Sequence, residues 1–428
     1  MNAPAAPVRA IGLGGAILIA TNGMVGTGIF ALPGKLDAAV GAFAPLLLIV
    51  AGLGFICIAL SFADCARHFD RSGGPVVYVG TAFGPLAGFV VGWLGYIARA
   101  TSQAANANVL AITAAALFPV VSGRDCRAAI IIVLVATLTP LNVLGVRRMI
   151  SALGAMTLLK LAPLVVLAVV ALASFGPGPA PDVAALANTG SVALVALYAF
   201  TGFESGAIAA GETRDPKRAV PLALIGTVVA VGLLYAFVQW AYSASTPATS
   251  ETPLLDLARR LGGPVAGFAL ALAVLVSVIA NLGSSLLASP RLTVGMAQEK
   301  MLPARFAAIS PRFGTPAFSI LFYGAFTLML ALSGGFVFLA IVSTLARLAS
   351  YFGCVLAAPR LDTIFASVRA WPRRLLFPLI AAALCIGAAS QSKAEEWLGL
   401  ALLIGFGALL YSIAARTARW TPSPPPTA

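Results

Sequence analysis

The chain has 428 residues, of which 60% are apolar and only 10% charged, with a mean hydropathy of +0.99. This excludes a soluble globular domain; at ~20 residues per transmembrane helix there is room for about twelve spans and little else. The net charge of +13 invites a nucleic-acid reading, but the placement of the charges rules against it.

Spans are predicted near 10–33, 42–64, 82–119, 128–145, 149–175, 187–211, 220–243, 264–290, 316–333, 335–358, 375–391 and 396–415. Of the 27 Lys and Arg, 18 then fall in connections on one side of the membrane and six on the other. By the positive-inside rule both termini are cytoplasmic, and the expected location is the cell (inner) membrane, multi-pass. The apolar run near Met1 continues through the first span, so no cleaved signal is expected. Five scattered cysteines form no CxxC pair, and no cofactor, metal or disulfide framework is expected. His68 beside Arg67 reads as a solvated loop residue.

The first span contains Gly23-Met24-Val25-Gly26-Thr27-Gly28, three glycines in six residues, each costing about 1 kcal/mol relative to Ala in a helix. Two readings stand at this point: close packing through small residues, or an unwound segment whose free N–H and C=O groups bind a solute at mid-membrane. Lys35-Leu36-Asp37 reads as a short polar connection, and Arg67–Pro75 as a turn-rich cytoplasmic loop. In the third span Arg99, Ser102, Gln103 and Asn106 share one helical face. A polar stripe with a charge is costly against lipid, so it faces a cavity or a partner.

In the fifth span Lys160 stands some ten residues from either end, about 15 Å along a helix, too deep to snorkel comfortably. The sixth span repeats the opening anomaly with Tyr198-Ala199-Phe200-Thr201-Gly202-Phe203-Glu204, a carboxylate beside glycine within a membrane segment. It runs on into a charged cytoplasmic cap from Gly211 to Pro221. Interrupted spans five apart cross in opposite directions, the pattern of inverted repeats whose broken helices meet at the midplane. That favours the binding reading of the first stretch. Thr252–Leu261 reads as an amphipathic surface helix, and Asn281 to Ser285 of the eighth span as cavity lining. Arg347, midway through the tenth span, is left open between cavity lining and structural pairing.

These residues resemble the amino acid–polyamine–organocation (APC) superfamily of transporters. The resemblance rests on Gly26-Thr27-Gly28-Ile29-Phe30, on Phe200-Thr201-Gly202-Phe203-Glu204 with the following Glu212 to Pro221, and on Leu302-Pro303-Ala304-Arg305-Phe306 with Thr315-Pro316. It implies an all-α integral membrane fold of about 12 transmembrane helices, a LeuT-like 5+5 inverted repeat with helices 1 and 6 broken. The expected parts are a cytoplasmic N-terminus (1–9), repeats at 10–175 and 187–358, two added helices at 375–415 and a cytoplasmic tail (416–428).

Carried over, the resemblance assigns substrate binding to Val25, Gly26, Thr27, Gly28, Phe200, Thr201 and Gly202 through their backbone, with Tyr198 as an aromatic gate. Ala98, Arg99, Gln103 and Ser285 complete the pocket, and Lys160 and Glu204 serve proton coupling or gating. A lysine at the fifth-span position does the work of a sodium ion in proton-coupled members. The expected function is therefore amino acid transport by alternating access, proton-coupled and Na⁺-independent. The chain looks closest to bacterial basic amino acid/polyamine antiporters, an arginine/agmatine-type exchanger being the alternative. Arg99 and Ser285 depart from that pattern, and a fixed cation at Arg99 favours neutral or polar amino acids over arginine. The expected partners are the amino acid substrate, protons and the lipid bilayer, without nucleic acid; a homodimer is left open. No span histidine or aspartate pair supports an enzyme, whereas a non-transporting amino acid sensor stays an alternative.

Overall fold

The computed structural model describes residues 11–69, 73–118, 120, 123–143, 153–208, 210, 213–246, 250–365 and 375–419. Glu212 and several residues that set the predicted orientation (Arg9, Arg71, Arg147, Arg148, Arg369, Arg373 and Arg374) lie outside these. The described chain is helical, with one isolated bridge between Ile11 and Thr213 in place of any strand. Among the described residues, six helices are long and apolar enough to cross a membrane, and four shorter ones are apolar.

The first span is two helices, α1 (Leu13–Met24) and α2 (Gly28–Val40), separated by Val25, Gly26 and Thr27. Lys35-Leu36-Asp37 is not a connection but the last part of α2. The reason is packing: Ile29, Leu32, Leu36 and Val40 are buried along one face, and the helix stops only at Gly41, whose φ is +52°. α3 (Ala44–Ala66) follows. The turn-rich loop ends where expected, at Pro75, which opens a separate short helix α4 (Pro75–Phe83) ahead of α5 (Pro85–Leu117). Gly84, at φ +97°, turns one into the other ahead of Pro85.

His68 is a second correction. Its side chain is only 11% exposed, its Nε2 lies 3.4 Å from Asp362 Oδ1, and its ring stacks on Phe365. It is a packed residue joining the end of α3 to that of the tenth span. Sequence position alone could not show that this loop is roofed by another helix.

α6 (Arg124–Val143), α7 (Leu153–Phe175), α8 (Ala193–Tyr198) and the single turn α9 (Ser205–Ile208) lead to α10 (Pro216–Ala244). α11 (Pro253–Gln298) begins with the amphipathic stretch, its Leu254, Leu255 and Leu257 buried, and bends at Gly262 and Gly263 before becoming the eighth span. α12 (Ala317–Ser333), α13 (Phe336–Ile364), α14 (Phe377–Ala389) and α15 (Ala394–Arg419) complete the bundle. α3 packs along α10, and α5 lies between α13 and α11. α5 and α13 bring polar faces inward, while Leu53, Val133, Leu233, Leu272, Leu379 and Leu402 are exposed on the outside. That is the inside-out distribution of a bilayer-embedded bundle.

Candidate substrate site

The two breaks touch. A Cβ on Gly23 would lie 2.4 Å from Gly202 O, and one on Gly202 would lie 2.1 Å from Gly23 O. Gly202 also holds φ at +105°, which L side chains rarely adopt. Both glycines are therefore required by backbone-on-backbone approach, not by loose packing.

At the first break α1 ends by turning at Val25, with Gly26 N donating to Met24 O at 3.0 Å. α2 starts two residues on, and its first paired N–H groups are those of Phe30 and Ala31, both donating to Thr27 O. Among the described residues the N–H groups of Thr27, Gly28 and Ile29 donate to no acceptor. They are the open N-terminus of a half-helix, where orphan donors and about +0.5 of partial charge attract an anion.

The freed carbonyls are held from the side. Lys160 Nζ donates to Val25 O at 2.8 Å and to Asn22 Oδ1, and Tyr235 OH donates to Met24 O at 3.3 Å. Lys160 is 3% exposed, and among the described residues no carboxylate pairs with it. Its partners are two neutral oxygens, the ligand type a small cation would take.

The polar stripe of α5 faces other helices, as expected, and its Gln103–Asn106 part reaches this break. Thr27 Oγ1 donates to Asn106 Oδ1, while Asn106 Nδ2 donates to Asn281 Oδ1 at 3.1 Å and Gln103 Nε2 to the same oxygen at 2.8 Å. Asn281 Nδ2 reaches Asn22 O at 3.3 Å. The network thus runs from α5 through α11 back to α1. Ser102 Oγ lies 3.0 Å from Tyr198 OH, and the Tyr198 ring covers Gly28, whose Cβ would stand 3.4 Å from it.

At the second break residues 199–204 form turns between α8 and α9. Glu204 folds back so that its Oε2 accepts from Gly202 N at 3.0 Å and from Tyr351 OH at 2.7 Å. Its Oε1 is paired with Arg347 Nη1, and Arg99 Nη2 lies farther off at 3.9 Å. Both readings left open for Arg347 are met: it pairs with Glu204 and it lines a cleft. Arg99 donates to Ser205 Oγ at 3.3 Å.

Other expected site residues sit farther from the breaks or present only backbone. Phe200 is fully buried and points away into an aromatic cluster, 5.4 Å from the Phe55 ring centroid. Thr201 Oγ1 donates to Tyr198 O, bracing the turn. Ala98 O accepts from Ser343 Oγ. Ser285 Oγ is engaged with Tyr323 OH at 2.8 Å and Ser289 Oγ at 3.1 Å. Asn22, Tyr235 and Tyr351 escaped the sequence reading. Only Tyr351 carried a signal, standing one helical turn after Arg347.

The comparisons with known proteins agree with this architecture. The family described as amino acid permease matches residues 11–421. The chain belongs to the amino acid permease family. The uncharacterized transporter Rv1999c of Mycobacterium tuberculosis (strain ATCC 25618 / H37Rv) is 30% identical over 338 residues, 76% of the permease and 73% of that protein. The uncharacterized transporter Mb2022c of Mycobacterium bovis matches to the same extent. The serine/threonine exchanger SteT of Bacillus subtilis (strain 168) is 26% identical over 343 residues, 76% of each chain. The permease is thus a multi-pass membrane protein that transports amino acids.

Proposed function

We propose that the permease carries neutral or polar amino acids across the cytoplasmic membrane, coupled to protons and independent of Na⁺. The observation that carries the reading is the set of unpaired N–H groups at Thr27, Gly28 and Ile29, set against the turn at Phe200–Gly202. An α-carboxylate on those N–H groups would be held by charge-assisted hydrogen bonds and the half-helix dipole. Its α-amino group would meet carbonyls of the two breaks, and Tyr198 would close over it. Sequences 10–175 and 187–358 serve in this reading as inverted repeats that rock about the touching glycines.

Lys160 supports proton coupling because its ammonium rests on Val25 O and Asn22 Oδ1 without a counter-carboxylate. Protonated, it would brace the first break as a bound cation does; deprotonated, it would release it. Glu204 serves gating by fixing the second break through Gly202 N. Arg99 supports the neutral preference: Glu204, its nearest carboxylate, is already bonded to Arg347, so two guanidiniums share one carboxylate and the excess positive charge would disfavour a guanidinium substrate. The serine/threonine exchange for which SteT of Bacillus subtilis is named points the same way.

Uptake of labelled serine into proteoliposomes tests this. Acceleration by an inward proton gradient without Na⁺, with stronger competition by threonine and alanine than by arginine, is expected. Strict Na⁺ dependence with no response to pH would overturn it.

A further inference from the structure

Two guanidiniums face one carboxylate. The side chains of Arg99 and Arg347 are only 13% and 7% exposed, and among the described residues Glu204 is the one carboxylate within 4 Å of either. The group therefore carries a net positive charge where water is scarce, an arrangement that is costly unless something compensates it.

The donors tell the same story. Arg347 Nε is buried and donates to no acceptor. Of the five N–H donors of Arg99, among the described residues the hydrogen-bonded one belongs to Nη2, on Ser205. Both side chains line a narrow cleft that also includes Glu204, Ser350 and Ile208 and reaches the turn at Gly73. This cleft is separate from the open N-terminus of α2. Arg99 precedes Asn106, the partner of Thr27, by seven residues on α5, about 10 Å along the axis.

We propose that Arg99 and Arg347 form a binding site for a small monovalent anion, a carboxylate or a halide, at the inner end of this cleft. The planar forks of two arginines suit a carboxylate edge, and Ser350 lines the same cleft. Glu204 acts as a built-in competitor, since it occupies donors the ligand would otherwise use. The site does not depend on where the amino acid binds. If the proposed transport path is right, a solute's carboxylate would meet it between the N–H groups of α2 and the Gly73 side.

The test is thermal unfolding of the full chain in detergent, titrated with sodium acetate and separately with sodium chloride. Wild type should show a saturable rise in Tm, because a ligand of the folded state stabilises it by mass action. Arg99→Gln should weaken the apparent affinity at least tenfold. Glu204→Gln should tighten it about tenfold by removing the competitor, a change of sign that loss of structure cannot mimic. General salt effects do not saturate and are common to all variants. A response to both anions identifies small anions in general as occupants, and one to acetate alone a solute's carboxylate; either upholds the site. The proposal is overturned if neither anion gives a saturable response, or if both variants titrate like wild type. It is also overturned if the acetate response is lost in Gly26→Val but kept in Arg99→Gln, which would put acetate on the α2 N–H groups.

Discussion

Glu204, on the turn that breaks the sixth span, is paired with Arg347 of α13, 143 residues away, while Arg99 waits at 3.9 Å. The same carboxylate accepts the Gly202 N–H and the Tyr351 hydroxyl. One acidic side chain thus fixes the broken helix to the tenth span.

Breaking that pair from one side should destabilise the fold. Arg347→Met removes the nearest donor of Glu204 and leaves Arg99 at 3.9 Å as the remaining counter-charge, at a cost of about 1–3 kcal/mol. Adding Glu204→Gln should return part of the loss, so that the double variant is more stable than the sum of the singles predicts. A double-mutant cycle on unfolding in detergent checks this, and simple additivity would argue against a coupled pair.

Gly23→Ala and Gly202→Ala should each lower Tm strongly. Either methyl would meet backbone oxygen at 2.4 Å or less, and Gly202 has a left-handed φ besides. A penalty above ~2 kcal/mol is expected, in the range of overpacked, strained sites. Gly226→Ala, where a Cβ meets nothing within 4 Å, is the matched control and should leave Tm nearly unchanged.

The breaks were legible in the sequence because glycine clusters and a carboxylate are anomalous inside apolar spans. The α5 stripe was legible through helical periodicity: Asn106 bonds Thr27 of the first break and shares Asn281 with Gln103, while Arg99 reaches Ser205 at the second break. What could not be read is which distant residue meets which. Glu204 had two candidate arginines in the sequence, and only the register of α13 against the turn selects Arg347. Lys35 to Asp37 misled because charge marks the end of a hydrophobic stretch, not the end of a helix. His68 misled because a loop's solvation depends on what packs over it.

Lys160→Met should keep the fold, since the stem remains apolar, but remove the ammonium from Val25 O and Asn22 Oδ1. Uptake should lose its acceleration by an inward proton gradient while exchange at equal pH survives in part. Retained pH-gradient stimulation in the variant would assign coupling elsewhere.

Asn106→Ala should free Thr27 and remove one of the two bonds from α5 to Asn281. The substrate-facing start of α2 would then be less fixed, and KM should rise about tenfold, equivalent to ~1.4 kcal/mol. Gln103→Ala, which removes a bond to Asn281 but none to Thr27, should have a smaller effect. Initial-rate uptake over a range of substrate concentrations separates the two.

The central claim is that the N–H groups of Thr27, Gly28 and Ile29 hold the carboxylate common to all substrates. Counterflow of labelled serine in proteoliposomes, competed by amino acids and by the amine that lacks only the carboxylate, measures it directly. Gly26→Val, at a position where a Cβ would meet nothing nearer than 3.7 Å, provides the matched variant. Competition by neutral amino acids but not by the amine, with every substrate lost alike in Gly26→Val, is the predicted result. Equal competition by the amine, or a Gly26→Val permease that merely changes its preference, would contradict it.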